Sequence, residues 1–103
     1  MSDAPQRPSI DIHYCTQCRW LLRAGWMAQE LLSTFDGDLE TVTLRPGTGG
    51  VFDIRLDGRM LWSRKAEGRF PDIAELKQRV RDHIDPQRDL GHVDRAHPKQ
   101  QGE

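Results

Sequence analysis

A chain of 103 residues and 11.9 kDa makes one domain of ordinary size and leaves no room for a second hydrophobic core. Fifteen basic against sixteen acidic residues give a formal charge of −1, which argues against an extended phosphate-binding surface and against nucleic acid as a partner. No apolar run approaches the roughly 20 residues that span a bilayer, and the opening Met-Ser-Asp-Ala-Pro lacks the charged and apolar regions of a signal peptide. The expectation is therefore a cytoplasmic protein with no membrane partner.

Polarity is unevenly spread along the chain, whose mean hydropathy is −0.73. Residues 1–8 have few apolar side chains and are expected to be a flexible N-terminus; residues 9–85 hold almost all of them and form the expected domain. Ser9 to Tyr14 alternates, with Ile10, Ile12 and Tyr14 on one face and Asp11 and His13 on the other, which predicts a strand. After Cys15-Thr16-Gln17-Cys18 the period changes: Leu21, Ala24, Ala28, Leu31 and Phe35 recur at steps of three and four, as in an amphipathic helix. Asp36-Gly37 ends it, because glycine takes the left-handed conformation that closes a helix.

Glu40 to Arg45 returns to period two, and strand, helix and strand in succession make a right-handed βαβ unit with parallel strands. Pro46-Gly47-Thr48-Gly49-Gly50 breaks the pattern. Val51–Leu56 and Arg59–Ser63 then read as a hairpin around Asp57-Gly58, a pair suited to the positive φ angles of a type I′ turn. Asp72 and Glu75 form a capping-box variant ahead of Ile73, Leu76, Val80 and Ile84, so a second helix ends before Pro86. From Gln87 onward only Leu90, Val93 and Ala96 are apolar, too few to offset about 1–2 kcal/mol of backbone entropy per ordered residue, so residues 86–103 are expected to be a disordered tail. The order β-α-β-β-β-α, with a four-stranded mixed sheet, is the thioredoxin-like α/β plan.

The two cysteines, Cys15 and Cys18, lie too close in sequence to staple distant segments. A Cys-x-x-Cys at a strand-to-helix junction brings two sulfurs near enough to form a cyclic disulfide. Amides at the start of the helix, with Arg19 beside them, favour the thiolate. The thiolate is the attacking form in thiol–disulfide exchange, and a neighbouring thiol resolves the mixed disulfide. On these grounds Cys15, expected to be the more exposed sulfur, attacks and Cys18 resolves.

Half a zinc site has the same spacing, but no second cysteine pair follows and His13, His83, His92 and His97 have no ligand spacing. Redox use of Cys15 and Cys18 is therefore the favoured reading, with no metal or cofactor expected. Gly47 to Gly50 lacks the Gly-Lys-Ser/Thr of a phosphate loop and reads as a flexible connection. It falls at the same edge of the fold as the cysteines, where its free amides could receive a peptide or thiol. His13 suits either proton transfer or an ordinary strand position, and one of Trp20 and Trp26 is free to face a partner.

Ile12 to Trp20, the Leu-Leu-Arg-Ala run behind it, Pro46 to Phe52, and the Asp57-Gly58 hairpin leading to Trp62-Ser63-Arg64-Lys65 resemble the selenoprotein W-related proteins over about residues 10–84. The resemblance implies a thioredoxin-like fold with its redox pair after the first strand, at Cys15 and Cys18, and a glycine-rich connection at Gly47, Gly49 and Gly50. In the selenium-containing members the selenocysteine occupies the position of Cys18, which implies that Cys18 matters at least as much as Cys15 and leaves the attacking sulfur open between the two. The expected function is that of a small thiol–disulfide redox protein acting on protein thiols or glutathione. The alternative is a non-catalytic binding or redox-sensing module that meets a protein partner on the Cys-x-x-Cys face.

Overall fold

A computed structural model describes residues 7–96. Strand β1 (Ser9–Cys15) leads through a turn into α1 (Leu21–Thr34); β2 (Thr41–Gly47), β3 (Phe52–Leu56) and β4 (Arg59–Ser63) follow. Three further helices close the chain: α2 (Arg64–Glu67), α3 (Ile73–Ile84) and α4 (His92–Ala96). The sheet order is β2-β1-β3-β4, with β1 parallel to β2 and antiparallel to β3. This is the mixed four-stranded α/β arrangement expected of a thioredoxin-like chain.

Alternation along β1 decides which face is buried. Ile10, Ile12 and Tyr14 point to the helices with their register partners Leu56, Ile54 and Phe52, and all six are buried. Ala24, Met27, Ala28 and Leu31 of α1, Phe35 just behind it, and Leu76 and Val80 of α3 complete the core. On the other face Asp11, His13, Thr43, Arg45, Asp53 and Arg55 are partly or fully exposed, and Arg45 donates both Nε and Nη2 to the Asp11 carboxylate. Asp57 and Gly58 both have positive φ, 50° and 84°, as a type I′ turn requires. The turn is tied to β1 by reciprocal bonds: Ser9 N–H donates to Asp57 Oδ1 at 2.9 Å, and Asp57 N–H to the Ser9 carbonyl at 2.9 Å.

Three expectations are corrected. The helix does not begin at the motif: residues 16–19 form a turn and α1 starts at Leu21, which leaves Leu21 half exposed while half-buried Trp20 packs against the core. Asp72 occupies the N-cap position of α3 but makes no side-chain cap bond, and Glu75 is instead held by Arg69 through two 3.0 Å bonds.

The third concerns the tail. Residues 86–96 are folded against the domain rather than disordered: Leu90 packs on the core, Arg88 donates to Asp38 at 2.7 Å, and Arg81 donates to Asp94 at 2.7 Å. Ionic bonds supply what apolar area does not. Arg81 is 1% exposed and also donates to the Arg88 carbonyl and to Asp82. Its Nη2 is the single fully buried side-chain polar atom without a partner among the described residues. The rest of the expected tail, 97–103, and most of the expected N-terminal segment, 1–6, lie outside the described residues.

Candidate functional site

β1 runs through to its last residue, Cys15, opposite Gly47 of β2. That pairing holds the Cys15 side chain inside the end of the sheet, 1% exposed. The following turn is closed by Arg19 N–H donating to the Thr16 carbonyl at 3.0 Å, and it lifts Cys18 to the surface. Arg19 accepts a φ of 62° to make this turn, a conformation uncommon for a residue with a Cβ. Exposure of the two sulfurs is thus the reverse of the sequence expectation, because the strand outlasts the motif's first cysteine and the helix has not yet begun.

The Cys18 thiol donates to Cys15 Sγ across 2.6 Å, and both cysteines are free. This shared proton dominates their acidity. Cys15 is lowered from the ordinary thiol value first by the Cys18 hydrogen bond, with burial opposing it and the backbone of Gly50, Cys18 and Gln17 assisting. Cys18 is raised by the bond to Cys15, by burial and by the neighbouring charge, while Gly50 and the Arg64 guanidinium act in the opposite direction. The amides that favour the thiolate therefore come from the turn and from the glycine loop, not from the start of α1.

The glycine loop sits where the sequence placed it, beside the cysteines. Thr16 donates both its N–H, at 3.0 Å, and its hydroxyl, at 3.1 Å, to the Gly47 carbonyl, which locks the two loops together. A Cβ on residue 47 would overlap the His13 ring, and Gly49 and Gly50 have φ of 74° and 75°. His13 is accordingly a strand residue packed on Gly47, with Arg45 and Asp53 as register partners, and no hydrogen bond joins it to either sulfur. Among the described residues no group of three or more His, Cys, Asp or Glu side chains could hold a metal ion, and His97 lies outside them.

Trp20, Phe52 and Phe70 stack edge to face in a triangle with centroids 4.9–6.2 Å apart. Trp20 N–H reaches the Cys15 carbonyl at 3.4 Å, and Phe52 pairs with Tyr14, so the triangle abuts the motif. Arg64 lies over Trp20 and Phe70 at 4.9 and 5.3 Å, and Arg23 over Phe70 at 4.0 Å. Trp26 is the exposed member of the tryptophan pair. Sequence reasoning missed Arg64 and Phe70 as parts of the site: both lie far along the chain on or beside a helix of four residues, too short to leave a periodic signal.

A family model described as the Rdx family matches residues 9–82. A crystal structure of a Bordetella parapertussis protein is 63% identical, with a TM-score of 0.76, covering 77% of this chain and 100% of that one. The crystal structure of a selenoprotein W-related protein from Vibrio cholerae is 52% identical, with a TM-score of 0.76, covering 78% of this chain and 100% of that one. No curated protein matches the chain. Together with the adjoining Cys15 and Cys18 sulfurs, these likenesses support a redox-type role. The match over residues 9–82 and the shared fold place this chain in the Rdx family, the selenoprotein W-related proteins.

Proposed function

We propose that the protein is a small thiol–disulfide redox protein that cycles Cys15 and Cys18 between dithiol and disulfide, with protein thiols or glutathione as partners. The observation that carries this reading is the sulfur pair itself: one buried, one exposed, sharing a proton across 2.6 Å. In-line attack requires a sulfur that an incoming disulfide can reach, which assigns the attack to Cys18. Moving the shared proton to Cys15 generates the Cys18 thiolate; it attacks one sulfur of the partner, whose S–S bond breaks and releases a thiolate. That thiolate takes the proton from Cys15. Cys15 then attacks Cys18 Sγ, the mixed disulfide breaks, the second partner thiol leaves, and the protein holds a Cys15–Cys18 disulfide. One disulfide is reduced to two thiols and one dithiol is oxidised, so electrons balance.

A cytosol, where thiols are kept reduced, is the setting such a pair suits. Among the described residues no helix is long and apolar enough to cross a membrane. The test is turnover. Catalytic amounts of protein, with a regenerating dithiol, are expected to reduce many equivalents of a peptide disulfide. Exchange that stops after one equivalent would instead favour the non-catalytic sensing module.

A further inference from the structure

Five guanidinium groups lie over aromatic rings in this small domain: Arg88, over Phe35 at 5.8 Å, is paired with Asp38, and the other four divide into two pairs of different character. Arg69 and Arg79 cover Trp62 at 4.8 and 4.4 Å, and both are neutralised, by Glu75 at 3.0 Å and Glu67 at 3.5 Å. Arg64 covers Trp20 and Phe70 close enough to Cys18 to favour its thiolate, Arg23 covers the same Phe70 ring, and neither has a carboxylate within ion-pair distance among the described residues. The first pair is explained by the fold. The second is held in place by ring faces, which orient a guanidinium while leaving its N–H donors free at the edges. The exposed Arg19 adds a third unpaired cation to the same end of the molecule.

Beyond Arg23 the surface continues into a groove of about 340 Å3 lined by Arg23, Trp26, Met27, Pro71, Asp72 and Ile73. Trp26, one of its lining residues, is exposed. A bound chain would meet cations near Cys18 and apolar surface further along, with Asp72 the acidic group on the groove's wall.

Resting on the redox reading above, we propose that Arg23 and Arg64 form a carboxylate-binding fork that selects protein partners carrying an acidic residue next to the reacting cysteine. The fork makes two contributions. Its donors fix the partner's carboxylate, and hence the partner's sulfur, beside Cys18. A carboxylate arriving there also meets guanidinia already held in place, so little side-chain entropy is lost on binding.

The experiment compares three peptides that differ only in the residue preceding cysteine, Glu, Gln or Lys, each disulfide-linked to an aromatic reporter thiol. Cys18 displaces the reporter thiolate, and Cys15 then releases the peptide thiol, so the absorbance of the reporter measures kcat/KM. Expected at low salt is a Glu-over-Lys preference of roughly tenfold, the size of one charge-assisted hydrogen bond. It shrinks as salt rises. In Arg23→Gln/Arg64→Gln the ratio falls to about one, and in Arg23→Glu it turns toward the Lys peptide, with circular dichroism verifying that each variant is folded. Equal rates for all three peptides with the unaltered protein overturn the fork and leave the redox reading standing. No exchange with any peptide overturns the redox reading. Affinities of the same peptides with Ser in place of Cys then decide the fork, which tighter binding of the Glu peptide supports and equal binding refutes.

Discussion

At Cys15 and Cys18 two properties that reactive cysteines usually combine are separated: the lowered pKa belongs to the buried sulfur and the accessibility to the exposed one. The Cys15→Ser variant keeps the exposed thiol and lacks the resolving one, so after exposure to oxidised glutathione it is expected to retain a mixed disulfide on Cys18. Cys18→Ser, whose sole thiol is 1% exposed, should gain little adduct. Intact-protein mass spectrometry reads both, and adduct confined to Cys18→Ser would return the attack to Cys15. Opposite shifts in one proton-sharing pair also mean that ultraviolet thiolate absorbance should rise in two steps, one below and one above the usual cysteine range. The motif and its partner loop were legible in the sequence because Cys-x-x-Cys and the glycines are local signals. Exposure was not, since it depends on how far β1 runs before the chain turns, and one extra strand residue moved Cys15 inside.

Among elements, the β3–β4 hairpin was written plainly in Asp57-Gly58, and its geometry carries a stability expectation. Valine at position 58 would have to adopt the φ of 84° that glycine takes freely, so Gly58→Val should cost about 1–3 kcal/mol, read as a lowered denaturation midpoint. An unchanged midpoint would contradict the turn assignment.

The contact between α3 and α4 carries a second expectation. Arg81 and the Leu90 and Gln78 groups hold the Asp94 carboxyl well below the usual range, so its charged form stabilises the native state. That contribution is fully present above the unfolded aspartate value of about 3.9 and is lost as pH falls below it. Asp94→Asn removes it at all pH values. The buried Arg81 would keep Asp82 as its one carboxylate partner among the described residues, a costly arrangement while α4 stays docked, but release of residues 86–96 hydrates it more cheaply, so the global loss should stay at about 1–2 kcal/mol. Amide exchange in α4 should accelerate much more than in β1. Uniform acceleration through both elements would mean that α4 does not open separately.

Across the whole molecule, a sheet buried on one face and polar on the other accounts for how a short chain makes a core: β1 lies between β2 and β3, and α1 and α3 cover its apolar side. That plan follows from period-two and period-3.6 patterning, which the sequence displays openly. The C-terminal segment did not follow from it, because counting apolar residues overlooks docking through Arg81–Asp94 and Arg88–Asp38, each 2.7 Å. Deleting residues 87–103 should consequently lower Tm, by roughly 5–15 °C for a loss of about 1–2 kcal/mol in a domain of this size. An unaltered Tm would contradict the docking.

The redox cycle of Cys15 and Cys18 is tested most directly by equilibrating the full chain in thiol–disulfide buffers of stepped potential, then alkylating free thiols and weighing the intact protein. The expected result is a single two-electron transition in which both alkylations disappear together, the mass falls by that of two hydrogens relative to the unalkylated dithiol, and no buffer thiol is retained. Two alkylated cysteines at every potential, or a separate buffer-thiol adduct on each, would contradict it.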